Sequence, residues 1–320
     1  MSVFLDDINV SLGDVRRDVY AAGAAGAILS SAEQLDAAGF GFHHICSDGR
    51  SAYDLAREVV KPIAARHPRV GAIVYATTLP GNAAIGGDEE FRQTADVKHL
   101  MRYPAARLQA DFCFTDAFVV GVGQQACTGL IGALRLARAL LLTEPDLDPV
   151  LCLTSDRFPP GATYEQAYNL VSDGAVACTV SNRPGAFELL GVHHITNGGL
   201  EMASDDQTVA TYFSYTHEAI SQVCRQAGVE PDQLDWVVLQ NTNSKVAPIL
   251  ARLLGVPEER MYNGTSHDVA HLIAGDALAN LAELQKMGAL QPGDLIALPI
   301  AGYGLNWQCA LIRVATAVEE

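Results

Sequence analysis

The run Val122-Gly123-Gln124-Gln125-Ala126-Cys127-Thr128-Gly129 decides how this chain is read. The β-rich segment 118–122 before it predicts a strand, and the amphipathic segment 128–142 after it predicts a helix. A strand that stops at a glycine, turns, and sets a cysteine at a helix start is a specific arrangement. The partial positive charge and free N–H groups of a helix N-terminus favour a thiolate over a thiol. The same N–H groups suit the oxyanion of a thioester intermediate. Cys127 is therefore a candidate nucleophile, and its own N–H a candidate oxyanion donor. A small buried cysteine packing a helix start fits the same spacing. Gly129 and Gly132 would let another backbone or a pantetheine arm come close to the helix.

Working outward, strands are expected at 71–78, 149–154 and 175–180, with a Pro/Gly-rich loop at 156–162. Beyond residue 185 come strands at 186–192 and 234–239 and a helix at 244–254 stopped by Gly255. A short segment at 260–263 leads to a helix around 272–286, and two paired strands at 294–299 and 307–314 close the chain. This alternation predicts an α/β architecture. The same order of elements occurs twice, which predicts two halves, 1–185 and 186–320. Cys127 and His271 then occupy equivalent strand-to-helix junctions, and a pseudo-twofold axis would bring thiol and imidazole into one pocket. The first ~55 residues say less, giving only a generic helix at 31–38.

At 320 residues the chain can bury a large core, and 49% hydrophobic with 18% charged residues excludes a disordered or fibrous protein. The net charge of -16 counts against nucleic-acid binding and against docking to anionic lipid. An acidic carrier protein would need a local basic patch; Lys98, Arg102 and Arg107 are the candidates, though a solvated charge cluster is the favoured reading of those three. No basic segment followed by an apolar one opens the chain, and no apolar run is expected to reach the ~18 residues a membrane span needs; 133–142 comes nearest but is broken by Arg135 and Arg138. A cytoplasmic protein without membrane contact is expected. Seven cysteines, an odd count without CxxC or Cys/His spacing, give no metal site and suit a reducing compartment. Gly86-Gly87 and Gly198-Gly199 are isolated pairs without nucleotide-binding context.

Several separated segments resemble the ketoacyl synthase III branch of the thiolase superfamily. Gln125-Ala126-Cys127-Thr128-Gly129 resembles its nucleophile helix, and Ser172-Asp173-Gly174-Ala175 its Gly-Asp-Gly-Ala turn. Gln233-Leu234-Asp235-Trp236-Val237-Val238 resembles the strand before its His-Gln-Ala-Asn motif. Gln291-Pro292-Gly293-Asp294 and Gly302-Tyr303-Gly304-Leu305-Asn306-Trp307 resemble its C-terminal hairpin. The resemblance implies a duplicated, five-layer αβαβα thiolase-like fold. It also implies a homodimer, an oxyanion hole formed by the N–H groups of Cys127 and Gly304, and no permanently bound cofactor. The acyl donor would be an acyl-CoA or the phosphopantetheine of an acyl carrier protein.

The departures bear on the reaction. Where the family has His-Gln-Ala-Asn this chain reads Gln240-Asn241-Thr242-Asn243, so the catalytic His is replaced by Gln240, which cannot exchange protons near neutral pH. For the family's catalytic Asn, one alignment selects Asn263-Gly264-Thr265-Ser266. The other, preferred because it preserves helix length, selects His271, with Asp276 five residues on. A nucleophile with a late His and Asp resembles a subgroup that loads starter acyl groups or acylates alcohols in natural-product pathways, such as the sugar malonyl acyltransferase of cervimycin biosynthesis and the starter-unit synthase of daunorubicin biosynthesis. Decarboxylative condensation relies on two neutral donors at the thioester carbonyl, whereas transfer to a hydroxyl or amine relies on a base oriented by a carboxylate. Cys127, His271 and Asp276 would supply the latter, provided His271 precedes the helix, since i and i+5 in a helix lie about 140° apart.

Gln240, Asn243, His194, Met101 and Tyr103 are candidate pocket residues, the last two as a lid; Arg157 is a candidate contact for a coenzyme A phosphate. A core role for His271, a strand-end role for His194 and a solvated-loop role for Arg157 fit the residues too. His267-Asp268 reads as an exposed pair, and Trp307 as core. The leading expectation is an acyltransferase passing an acyl group through Cys127 to a small-molecule alcohol or amine. The alternatives are condensation with malonyl carrier protein and a non-catalytic partner subunit of a heterodimeric synthase.

Overall fold

The computed structural model describes residues 2–316. Ten strands form the main sheet: β1 (Phe4–Leu12), β2 (Ala72–Ala76), β3 (Phe118–Val122), β4 (Val150–Asp156), β5 (Gly174–Ser181), β6 (Phe187–Thr196), β7 (Trp236–Val238), β8 (Met261–Tyr262), β9 (Leu295–Gly302) and β10 (Asn306–Val314). Their order across the sheet is β8-β7-β9-β10-β6-β1-β5-β4-β2-β3. The first five strands in sequence therefore run β3-β2-β4-β5-β1 and the second five β8-β7-β9-β10-β6, the same permutation twice. Pairing repeats as well. β2 is parallel to β3 and β4, β7 is parallel to β8 and β9, and β4–β5 and β9–β10 are antiparallel. The two sets meet where β1 and β6 pair antiparallel through Phe4–Glu188 and Leu5–Phe187.

The layers follow from side-chain alternation. Strand residues point to opposite faces in turn, and these strands are apolar on both. In β2, Ala72 and Val74 face a central cluster, while Ile73 and Tyr75 face an outer one. In β4 the pairs are Val150 and Cys152 against Leu151 and Leu153; in β10, Ala310 and Ile312 against Cys309 and Leu311. Helix α1 (Ala52–Arg66) covers the outer face of the first set with Leu55, Val59 and Ile63. Helix α2 (Gly129–Thr143) fills the centre with Leu130, Leu134 and Leu141. Helix α3 (Asp205–Ala227) and α4 (Val246–Leu254) cover the second set with Ile220, Val223 and Leu250. Helix α5 (Asp276–Lys286) joins α2 in the middle layer through Leu278 and Leu281. The result is helix, sheet, helix, sheet, helix, the expected five-layer arrangement.

The stretch Ala126–Thr143 has a mean hydropathy of 1.4 over 18 residues, long and apolar enough by composition to cross a bilayer. This corrects the expectation that no segment reaches that length. Arg135 and Arg138 do not lower the average enough, because leucine and alanine fill the rest, and the apolar side of the helix is packed between the two strand sets.

Two parts were underread in sequence. The opening residues form β1, the seam between the strand sets, and α3 spans 23 residues. The expected helix at 31–38 is Ala32–Ala37, started by a reciprocal capping box between Ser31 and Gln34. The helix expected from 272 begins only at Asp276, because Ala270 and Ile273 have positive φ (61° and 50°) and break the run.

A buried histidine braces the segment that carries His271. His43 is fully buried, and its Nδ1 donates to the Val171 carbonyl at 3.0 Å. Val171 forms a parallel bridge with His271. Burial, the largest influence, lowers the His43 pKa to about 4. The unfolded chain takes up this proton near pH 6.5, the folded one only near 4, so stability is present above the unfolded value and is lost as pH falls through that window. The loss amounts to about 3 kcal/mol at ~1.36 kcal/mol per pH unit. Urea unfolding at a series of pH values should show this slope in the wild type and a flatter one in His43→Gln; parallel slopes would remove His43 from the account.

Candidate active site

Cys127 stands in a 3-10 turn, Ala126–Thr128, between β3 and α2. Gln124 and Ala126 both take left-handed backbone conformations (φ 62° and 45°), which reverse the chain sharply after the strand. The turn is tied down from two sides. Thr128 Oγ1 donates to the Gln125 carbonyl at 2.7 Å, and Gln308 Nε2 donates to Gln125 Oε1 at 3.0 Å and to Thr128 Oγ1 at 3.1 Å. Gly132 is needed for this: a Cβ there would lie 1.9 Å from Gln125 Oε1. A Cβ on Gly129 would sit 3.3 Å from the Ala76 methyl. Both glycines thus admit the protein's own turn and β2, the first of the two close approaches expected of them, and not a pantetheine arm.

His271 reaches the thiol from the other strand set. It lies in an extended segment ahead of α5, its N–H donating to the Leu170 carbonyl at 2.8 Å and its carbonyl accepting from Ser172 N at 2.9 Å. Asp276 is the first residue of α5, so the helical angle that would have separated the two does not apply. His271 Nε2 is 3.4 Å from Cys127 Sγ, and His271 Nδ1 is hydrogen-bonded to Asp276 Oδ2. The carboxylate also accepts from Leu272 N at 2.5 Å and Asn241 N at 2.8 Å. Gly275 allows the turn to pack, since a Cβ would come within 2.6 Å of Val176.

Behind Asp276 lies a buried amide network. Asn241 donates through its side chain to the Ala270 carbonyl (2.7 Å) and to Thr265 Oγ1 (2.9 Å). Asn280 Nδ2 donates to Asn241 Oδ1 (2.8 Å) and to the Leu239 carbonyl (2.9 Å). Both asparagines are fully buried. No sequence signal marks Asn280 or Thr265 for this network, and nothing in the residue type of Asn241 separates an orienting amide from a generic one.

Burial alone would lower the His271 pKa. It is outweighed by the negative charges of Asp276 and of the thiolate form of Cys127, and by hydrogen bonds to both, so the pKa is raised well above the ordinary histidine value. The arrangement favours an imidazolium beside the sulfur, held in one orientation by the carboxylate.

The other candidate residues divide. Gln240 and Asn243 line the same cavity as Cys127 and His271. Gln240 Oε1 accepts from Ala301 N at 2.6 Å, so the amide is committed to the β9 backbone, and His271 is the group hydrogen-bonded to the sulfur. Gly304 does not line the cavity; Gly302 does, and a Cβ on it would come 2.7 Å from Cys127 N. Gly302, and not Gly304, therefore packs against the Cys127 backbone N–H, because the hairpin turns away after Gly302, leaving Gly304 at φ 125° over the Asn306 amide. His194 is on the exposed side of β6 against Arg135, outside the cavity. Met101 and Tyr103 are each 56% exposed and form no lid over it. Tyr103 instead borders a separate hollow along β3. Arg157 lines a third hollow, beside Tyr53 and Pro80. Met101, Tyr103 and Arg157 sit on loops, whose facing follows from tertiary packing rather than local pattern.

Lys98 pairs with Asp96, Arg102 with Glu90 and Arg107 with Asp111, which neutralises the suspected basic patch. His267 and Asp268 form the expected exposed pair at 3.5 Å. Trp307 is core, its ring tilted against Tyr215 with centroids 4.3 Å apart, and also reaches the cavity wall. No cluster of metal-ligating side chains occurs among the described residues.

Residues 224–314 match the family model for the 3-oxoacyl-[acyl-carrier-protein] synthase III C terminal. A beta-ketoacyl-[acyl-carrier-protein] synthase III of Chlamydia caviae is 25% identical over 217 residues, 59% of this chain and 64% of the relative, so the match spans less than two thirds of that protein. Among solved structures, ChlB3, described as an acyltransferase, superimposes with a TM-score of 0.81 at 22% identity, covering 99% of this chain and 98% of that one. The 3-oxoacyl-(acyl carrier protein) synthase III of Pseudomonas aeruginosa PAO1 gives 0.77 at 20% identity over 99% and 100%. The fold is thiolase-like. The chain is similar to ketoacyl synthase III proteins, through residues 224–314 for the family model and over part of its length for the curated relative.

Asp276→Asn removes the charge that raises His271. Iodoacetamide alkylation of Cys127 near pH 7 should then slow by about 10-fold, the gap closing as pH rises. Equal rates at every pH would show that the carboxylate does not support the pair.

Proposed function

We propose that the protein takes an acyl group from a coenzyme A or carrier-protein thioester onto Cys127 and delivers it to an alcohol or amine of a small molecule. The observation that carries this reading is the single line of contacts Cys127 Sγ, His271 Nε2, His271 Nδ1 and Asp276 Oδ2. It has the form of a nucleophile, a proton carrier and an orienting carboxylate.

In the first step Cys127 Sγ attacks the thioester carbonyl, and the oxyanion forms against the Cys127 N–H. The C–S bond to the donor breaks and the departing thiolate takes the Nε2 proton of His271. In the second step neutral Nε2 removes the proton of the acceptor O–H or N–H as oxygen or nitrogen attacks the acyl thioester. Cys127 leaves as thiolate beside the re-formed imidazolium. Asp276 keeps Nδ1 protonated throughout, so Nε2 is the atom that gives and takes.

Condensation fits less well. Gln240 stands where a proton-competent imidazole would be expected, with its carboxamide oxygen engaged by Ala301 N, and each lost donor costs roughly 2–4 kcal/mol in transition-state stabilisation. The likeness to ChlB3 supports transfer, and the synthase III matches support a thioester donor. We also read segments 1–185 and 186–320 as duplicated halves, the first supplying the thiol and the second the imidazole; the repeated strand order supports this. A homodimer would cover the outer edge strand β3, where Phe118 is 51% exposed. The subgroup resemblance suggests a place in natural-product biosynthesis.

Intact-mass measurement after incubation with acyl thioesters should show one acyl adduct, absent in Cys127→Ala. His271→Ala should load the acyl group but pass it to an acceptor about 100- to 10,000-fold more slowly. Carbon dioxide release from a malonyl thioester that depends on Cys127, with a carbon–carbon product, would instead establish condensation.

A further inference from the structure

The cavity in front of Cys127 holds about 290 Å³, and helix α3 forms one wall. An inward helix face is ordinarily an apolar stripe. Here Thr208, Tyr212 and Thr216 follow one another at four-residue spacing, one above the other on a single face. None of their hydroxyls has a hydrogen-bond partner, and neither does Thr242 Oγ1 nor Trp307 Nε1. Thr242 and Trp307 are only 5% and 2% exposed. Thr208, Tyr212, Thr242 and Trp307 all line this cavity. Folded proteins rarely leave a buried donor without a partner, and four such residues around one cavity form a set of groups waiting for an oxygen.

The indole N–H can only donate, and the hydroxyls can donate or accept, so the complementary group carries acceptor oxygen. Apart from His271, the only cationic residue lining the cavity is Lys245, which is exposed at its rim. A carboxylate enclosed among neutral groups would be desolvated without a counter-charge. Phe213, Val209 and Leu305 supply apolar wall between the polar groups.

We propose that the cavity selects an uncharged acyl group bearing a hydroxyl or keto oxygen, held by Tyr212, Trp307, Thr208 and Thr242, over a plain hydrocarbon chain or a free carboxylate. This rests on Cys127 being the acyl carrier. The test loads the full-length enzyme with N-acetylcysteamine thioesters of matched chain length: plain acyl, hydroxyacyl with the hydroxyl walked along the chain, and malonyl. Adduct formation is followed by intact mass. At least one hydroxyacyl thioester should load about 10-fold or more faster than its plain counterpart. Tyr212→Phe and Thr208→Val should bring that ratio toward one, a change in preference that simple loss of folded protein does not produce.

Plain and oxygenated thioesters loading equally at every hydroxyl position would overturn the proposal while leaving the acyl-cysteine reading intact, and would mean that water satisfies these groups. Faster loading of malonyl would overturn it in favour of a charged substrate. No adduct from any thioester would overturn the reading of Cys127 itself, and this proposal with it.

Discussion

The hydrogen bond between Asp276 and His271 is the contact on which the site depends. Asp276 is fully buried, at the first residue of α5, and besides the imidazole it accepts two backbone N–H groups, from Leu272 and Asn241. Those bonds hold a negative charge in the protein interior that would otherwise be too costly. The charge in turn outweighs the effect of burial on His271 and keeps its Nε2 directed at Cys127 Sγ. Without the carboxylate the imidazole would be an ordinary buried histidine, inclined to lose its proton.

The fold exists, from the standpoint of the site, to bring two distant junctions together. Cys127 and His271 are 144 residues apart in sequence, each at the end of the third strand of a five-strand set and ahead of the helix that enters the middle layer. Because β1 and β6 meet in the middle of the sheet, α2 and α5 lie side by side in one layer, and the turns ahead of them share a cavity. Each turn pays for its sharpness with positive φ at non-glycine residues, Gln124 and Ala126 on one side and Ala270 and Ile273 on the other. Such strain concentrates where a side chain must be aimed.

Much of this was legible in sequence, for identifiable reasons. The thiol was visible because strand, glycine and helix signals bracket it within a few residues. The imidazole and carboxylate were visible only through the preserved length of the following helix, and their contact depended on that helix starting at Asp276, which follows from positive φ at Ala270 and Ile273, two residues whose types give no warning. Gly302 could not be told from Gly304, because both lie in one glycine loop and only the end of the β9–β10 pairing separates them. The strand β1 escaped notice because its Asp6, Asp7 and Asn9 interrupt the apolar pattern, with a register shift between Asp6 and Asn9. The polar stripe on α3 was out of reach of sequence as well. Its threonines and tyrosine read as a mild surface face, and only the cavity shows that they point inward.

The most direct measurement is a single-turnover one. Enzyme acylated on Cys127 and freed of donor is mixed rapidly with alcohol or amine acceptors, and loss of the acyl adduct is followed by quenched-flow mass spectrometry. The account predicts that wild-type enzyme discharges to the acceptor with formation of an ester or amide, and that His271→Gln keeps its acyl group under the same conditions. Discharge that ignores the acceptor and His271 alike, and proceeds only with a malonyl thioester and release of carbon dioxide, would contradict it.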